Sequence, residues 1–310
     1  MKLDVEQQAT ADAAFGTDLY TVLAGPGNLV LSPASIAAAL RMALSGARGE
    51  TADEMARVLR LPSAEAARAA QDELASVPAG GDITLRAVNT AWIESGLSVR
   101  SEFLDQPVAV ERAGFARDPE GARQAINAAV AKQTDGKISD LLGPGVIGAL
   151  TRLVLVNALY LKARWQHEFP EQQTKTDNFY PERTSPTQVP MMRLSARLAY
   201  QRGDGYQAVL LPYRGAPLAM AIVLPDGPLS EFPLDHRGGV SGVLEGLLAG
   251  PQYYQVDLRL PKFKVTSGFL LRDTLQSLGL ALAFSDEADF SGITGQEPLQ
   301  IRRASCRERV

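Results

Sequence analysis

Apolar residues recur at helical spacing over the first part of the chain. Phe15, Leu19 and Val22 fall four and three apart, and Gly25-Pro26-Gly27 then interrupts the pattern. This predicts an opening helix with a glycine-rich stop. Asn28 to Leu31 is short and apolar. Ser32-Pro33-Ala34-Ser35 reads as a helix start, because the Ser32 oxygen can accept from backbone N–H groups and Pro33 suits the first turn. Ile36, Leu40 and Ala43 continue at helical spacing, and the small Ala37, Ala38 and Ala39 predict a helix packed closely on several sides. After Gly46-Ala47-Arg48-Gly49, Thr51 and Glu54 make a capping-box pattern ahead of Met55, Val58 and Leu59. A strand is expected over residues 83–93, a helix over 122–134, and a turn at Asp135-Gly136.

The period changes at Leu153. Leu153-Val154-Leu155-Val156-Asn157-Ala158-Leu159-Tyr160-Leu161 is apolar on both parities, which predicts a central strand covered on both faces. Ala208 to Pro212 and Leu218 to Leu224 are similar runs. Arg214-Gly215-Ala216-Pro217 between them predicts a hairpin. Val256, Leu258 and Leu260 alternate with Asp257 and Arg259, as in a half-exposed strand. Leu271, Leu275 and Leu278 mark a last helix that Gly279 can end. Helices come first and strands follow, an order that predicts an α+β fold rather than a βαβ repeat.

Charge and composition narrow the function. The 310 residues are 45% hydrophobic and 21% charged, with a net charge of −4. That balance argues against a nucleic-acid partner, which needs a basic face. The longest apolar run, Leu153 to Leu161, is far shorter than the roughly 20 residues of a membrane span, so no membrane partner is expected. Met-Lys-Leu-Asp-Val-Glu-Gln-Gln opens the chain without the apolar run of a signal peptide, so no export signal is expected in these residues. Cys306 is the single cysteine, which excludes an intrachain disulfide, and only His167 and His236 could add imidazoles. No metal and no cofactor are expected. There is no G-x-S-x-G, no H-E-x-x-H and no P-loop; Gly25-Pro26-Gly27 lacks the following Lys-Ser or Lys-Thr. His167 has no nucleophile near it in sequence, so no catalytic residue is assigned, although a site assembled in space stays open.

A series of motifs runs through nearly the whole chain. Asn28-Leu-Val-Leu-Ser-Pro-Ala-Ser-Ile36 continues with Ala39-Leu40, Met42, Gly46-Ala47, Gly49, Thr51 and Glu54. Asn89, Trp92, Ile126-Asn127, Val130, Thr134 and Gly136-Lys137-Ile138 follow. Leu155 to Tyr160 with Lys162, Trp165, Phe169 and Thr174 is the most specific stretch. Val189 to Met192, Leu211 to Gly215, Val223 to Pro225, Leu260 to Lys264, Ala283-Phe284 and Ala288 to Gly292 complete the order. In this order they resemble the serpin family of protease inhibitors. One departure is Ala129, where the family usually carries an aromatic residue.

The resemblance implies a serpin-like α+β fold, metastable, with N-terminal helices packed on a large central mixed sheet and further small sheets. It implies a serine-type endopeptidase inhibitor rather than an enzyme. A protease cuts an exposed loop, and the loop then inserts into the central sheet as a new strand. The partner implied is a serine (or cysteine) protease, met by a monomer. Ser32, Ser35, Asn127 and Asn157 match the region beneath the sheet centre, where strands must part. Trp165, Thr174 and Lys262 match the top of the sheet, where insertion begins. Read without the family, Asn157 is a polar plug that fixes strand register and Trp165 an ordinary core aromatic.

The same resemblance leads to the expectation that the fold is incomplete at its C-terminus. Residues 1–302 are expected to form one domain lacking its last central strand, reactive loop and C-terminal strands, so that this chain should not inhibit. Residues 303–310 are expected to be a tail foreign to the domain, since Arg303 to Val310 can be encoded by a string resembling a sequencing adapter; a short basic tail is the alternative. Other readings are a non-inhibitory carrier or chaperone of the same fold and, more distantly, an unrelated hydrolase. The family is often extracellular, while the missing signal peptide leaves the cytoplasm open.

Overall fold

The structure is a computed structural model describing residues 5–25, 27–69, 82–105, 109–181, 185–232, 240–295 and 303–309. Its helices are α1 (Val5–Leu23), α2 (Pro33–Gly46), α3 (Gly49–Val58), α4 (Ala64–Ala69), α5 (Ser101–Leu104), α6 (Pro119–Gln133), α7 (Val240–Ala249), α8 (Leu271–Ser277) and α9 (Ser291–Thr294). Its strands are β1 (Ile83–Glu94), β2 (Ala109–Ala113), β3 (Leu153–Ala163), β4 (Lys175–Phe179), β5 (Thr187–Gly203), β6 (Tyr206–Pro212), β7 (Ala219–Pro225), β8 (Tyr253–Pro261), β9 (Thr266–Leu270) and β10 (Arg303–Arg309). The chain divides into two units. One holds Met1–Ser76, Arg86–Tyr160 and Val265–Val310, the other Val77–Leu85 and Leu161–Lys264.

In the first unit Ser32 starts α2 as predicted. Its hydroxyl accepts the Ser35 N–H at 3.3 Å, and a proline occupies the first turn. Ile36, Ala37, Leu40, Ala43 and Leu44 of α2 are buried, as are Phe15 and Leu19 of α1. Val22 is 43% exposed, so the third residue of the expected stripe leaves the core face and Leu23 packs there instead. Gly46 lies against α9, where a Cβ would clash with the Ile293 side chain.

The expected capping box of Thr51 and Glu54 does not form. α3 begins earlier, at Gly49, and Arg48 makes no side-chain cap. Thr51 Oγ1 instead accepts the Asp289 N–H at 2.9 Å, and the Glu54 carboxylate accepts the Leu282 N–H at 2.8 Å. Both side chains serve part-buried backbone donors far along the chain, and such donors need a partner wherever they lie.

The central sheet has the order β2-β1-β3-β10-β9. Leu153 to Ala158 of β3 are all buried. Leu153 and Leu155 join the cluster that contains α1 and α2, whereas Val154, Val156 and Ala158 join Ile126 and Val130 of α6. The doubly apolar run is therefore covered on both faces. Asp118 caps α6 by accepting the Gly121 N–H at 2.9 Å. At its far end Asp135 and Gly136 both take positive φ, 51° and 71°, making the predicted turn.

Arg303–Arg309 form a strand in the central sheet. β10 runs parallel to β3 and antiparallel to β9. Flanking strands offer backbone donors and acceptors on both sides, and a ladder needs extended backbone rather than a particular side-chain pattern.

In the second unit the long β5 was not anticipated as one strand. Its first part pairs with β4 and its last with β6, while β8 runs along the opposite edge. Gly205, at φ 77°, turns the β5–β6 hairpin, and the predicted β6–β7 hairpin closes with Pro212 opposite Ala219. Val209 and Leu211 of β6 join Leu194 and Leu198 in one cluster, while Ala208 packs with Val243 and Leu247 of α7. The apolar run of β6 thus reflects cover on both sides.

Arg41 of α2 is ion-paired with Asp12 of α1 at 9% exposure. Breaking a buried pair strands a charge, so Asp12→Ala should destabilise the fold by about 3 kcal/mol. The double change Asp12→Leu with Arg41→Met should recover most of that loss. Urea denaturation of the three proteins checks both outcomes.

Candidate functional site

Asn157 is the one polar side chain in the fully buried stretch of β3. It shares the parity of Leu153 and Leu155, and so lies on the α2 side. Its Nδ2 donates to Asn89 Oδ1 in β1 at 2.5 Å. Among the described residues its own Oδ1, at 3% exposure, has no hydrogen-bond partner, and neither has the Ser35 hydroxyl at 1%. Ser35 lies on α2, whose Ile36 and Leu40 share a cluster with Leu153 and Leu155. The α2 side of the sheet therefore holds an amide pair tying β1 to β3, with one acceptor and one hydroxyl left over. Ser32 is occupied as the α2 cap.

Asn127 stands apart from this group. It sits on α6, which covers the opposite face of β3. Its Oδ1 accepts the Leu142 N–H at 2.9 Å and its Nδ2 donates to the Leu142 carbonyl at 3.0 Å. Arg123, one turn earlier, donates to the same carbonyl at 2.8 Å. Glu120 holds the Arg123 guanidinium at 2.5 Å. One face of α6 thus clamps the segment that leads into β3.

Trp165, Thr174 and Lys262 lie in the second unit. Trp165 stacks on Tyr213 at 4.6 Å and meets Phe169 edge-on at 6.4 Å. It packs against the cluster of Leu194, Leu198, Val209 and Leu211, and burial pushes the Tyr213 phenol pKa up. Lys175 and Pro261 are the two neighbours of Met191, on opposite edges of β5. Thr174 and Lys262 therefore flank β5 at one end of its sheet. The Thr174 N–H donates to the Glu171 carbonyl at 3.0 Å, and the Lys262 N–H to the Pro190 carbonyl at 2.8 Å. Lys262 is exposed.

Two members of these arrangements were given no role at the site from the sequence. Asn89 carried a readable signal: Ile83, Leu85, Ala87, Ala91 and Ile93 share its parity in β1 and are all apolar. Arg123 carried none, because its partner is a backbone carbonyl brought in by the fold. Among the described residues no group of three or more His, Cys, Asp or Glu could hold a metal ion, and no helix is long and apolar enough to cross a membrane.

The comparisons with known proteins agree with this architecture. The chain matches the serpin (serine protease inhibitor) family over residues 10–306. An uncharacterized serpin-like protein of Thermococcus kodakarensis is 38% identical over 300 residues, covering 93% of this chain and 68% of that one. Leukocyte elastase inhibitor of Bos taurus is 34% identical over 315 residues, covering 96% and 84%. The structure of reaction-loop-cleaved lamprey angiotensinogen superposes with a TM-score of 0.85 at 28% identity, covering 100% and 94%. The fold is that of the serpins, and the relatives include protease inhibitors such as the leukocyte elastase inhibitor. This chain belongs to the serpin family.

Removing the Asn127 amide orphans buried backbone groups of Leu142, so Asn127→Ala should cost about 2 kcal/mol. Ser35→Ala removes a hydroxyl without a partner and should be neutral or stabilising. Chemical denaturation of both variants tests the contrast, and equal losses would contradict it. The Glu120 carboxyl, bound by Arg123 and then Gln124, is pushed down from 4.5 to about 2. A depressed folded pKa means stability present above 4.5 and lost as pH falls through about 2. The stability gap between the wild type and Glu120→Gln should therefore shrink across that window. A gap that stays constant would show that the pair contributes nothing.

Proposed function

We propose that the protein inhibits serine-type endopeptidases as a suicide substrate, with its cleaved loop entering the central sheet between β3 and β10. The observation that carries this reading is the short parallel pairing of these strands, Arg303 to Ser305 opposite Val154 to Val156. A strand entering antiparallel to both would exchange one slanted parallel ladder for two antiparallel ones, which are slightly more stable per residue. The gain in main-chain hydrogen bonds drives the insertion. In the chemical step the protease serine Oγ bonds to the bait carbonyl carbon and the C–N bond breaks. The serine proton leaves with the new amine, and the acyl ester remains.

On this reading the Asn89–Asn157 amide pair and the Ser35 hydroxyl are polar groups that exchange partners as β3 and β10 part. The inhibitor relatives support the choice of target class. The test is to incubate protein expressed from its complete native coding sequence with pancreatic elastase or trypsin. A protease–inhibitor complex that survives SDS is expected, with activity lost stoichiometrically. Cleavage of the loop with no trapped complex would overturn inhibition and favour a non-inhibitory carrier.

A further inference from the structure

Among the described residues β8 has β5 as its one neighbouring strand, so its other edge carries an open ladder. The two ends of the β5–β8 pairing show which backbone groups face that edge. The Tyr200 N–H donates to the Gln252 carbonyl at 3.0 Å, and the Lys262 N–H to the Pro190 carbonyl at 2.8 Å. Between these ends the register is unbroken. The even-numbered residues of β8 therefore bond to β5, and Tyr253, Gln255, Asp257 and Arg259 turn their N–H and C=O groups outward. A row of such groups is a template for a further strand.

The side chains say which strand fits. Val256, Leu258 and Leu260 pack on the cluster of Leu194, Leu198, Val209 and Leu211, yet they are only partly buried where those four are buried. Apolar cover is short on the outer flank of β8. On the other face Asp257 and Arg259 are exposed. Among the described residues neither side chain has a hydrogen bond or an ion pair. Arg193, directly opposite Arg259, is already held by Asp177 at 2.8 Å. A strand that completes this edge brings apolar side chains on one face. On the other it brings a cation opposite Asp257 and an anion opposite Arg259.

β8 of a second copy meets every one of these conditions. Set antiparallel, with the Leu258 residues of the two copies facing each other, Asp257 of each copy lies opposite Arg259 of the other. Val256 of each then lies opposite Leu260 of the other, which extends the apolar cluster across the seam. Asp257 and Arg259 both have outward backbone groups, so each charge pair also exchanges main-chain bonds. Moving the two-fold axis by one residue sets Asp257 against Asp257 or Arg259 against Arg259, and like charges directly opposite are unfavourable. Pro261 has no N–H to offer and limits the ladder at its end. We propose that the protein self-associates as a two-fold dimer through the outer edge of β8, in the register that pairs Asp257 with Arg259. The seam lies within the second unit and does not depend on the strand insertion proposed above.

Sedimentation equilibrium of the 310-residue protein tests this. A short strand seam is a small interface, and a monomer–dimer equilibrium is expected below about 100 μM. Asp257→Arg and Arg259→Asp each set like charges against each other and should weaken self-association at least tenfold. Mixed in equal amounts, the two variants restore both pairs and should dimerise with one another. The double variant carrying both changes should self-associate as the native chain does, which separates loss of contact from loss of fold. A native chain that stays monomeric over this range overturns the proposal. Assembly that neither single variant weakens places the contact on another edge and overturns it too. Failure of both the mixture and the double variant to dimerise overturns the register.

Discussion

Leu153 to Ala158 lie buried on both faces of the central sheet, so the backbone groups of β3 there must find partners sideways, within the sheet. Much of the first unit is arranged around that requirement. α1 and α2 supply the apolar cover on one side through Phe15, Leu19, Ile36 and Leu40. α6 supplies it on the other through Ile126 and Val130. β10 satisfies the outer edge of β3, and β9 in turn pairs with β10.

Polar groups within this apolar setting acquire meaning from their position. Asn157 is bonded across the sheet to Asn89, while among the described residues its oxygen and the Ser35 hydroxyl find no partner. Leaving such groups unsatisfied costs about 1–3 kcal/mol each. Apolar residues of the same size would avoid that cost in a sheet that never opened. Asn127 contrasts with them: its amide is satisfied on both atoms and pins one backbone segment. The fold therefore separates a saturated clamp on the α6 side from an unsaturated polar layer on the α2 side. The strand insertion proposed above gives that asymmetry a use.

Polar side chains outside the sheet show the same dependence on context. Thr51 and Glu54 have the spacing of a local cap, yet they bind backbone N–H groups of Asp289 and Leu282, more than 200 residues away. Local capping and tertiary capping draw on the same acceptors, and the part-buried donor takes precedence because it has less access to water. Val22 leaves the expected stripe at the end of α1, where it is 43% exposed and Leu23 packs against the core instead.

The sequence by itself determined the helix starts at Ser32-Pro33, the turn at Asp135-Gly136, the β6–β7 hairpin and the double-sided burial of β3. Each rests on interactions among residues a few positions apart, or on a run of side chains that only one environment accepts. It also placed Asn157 in an apolar strand, where an amide calls for a partner. Only the tertiary structure decided which partner: Asn89 rather than Asn127, and Leu142 as the group that Asn127 and Arg123 hold. It alone decided that Arg303–Arg309 pair between β3 and β9. Backbone groups are the same in every residue, so main-chain pairing leaves little trace in side-chain order, and long-range partners become visible only when the chain has brought them together.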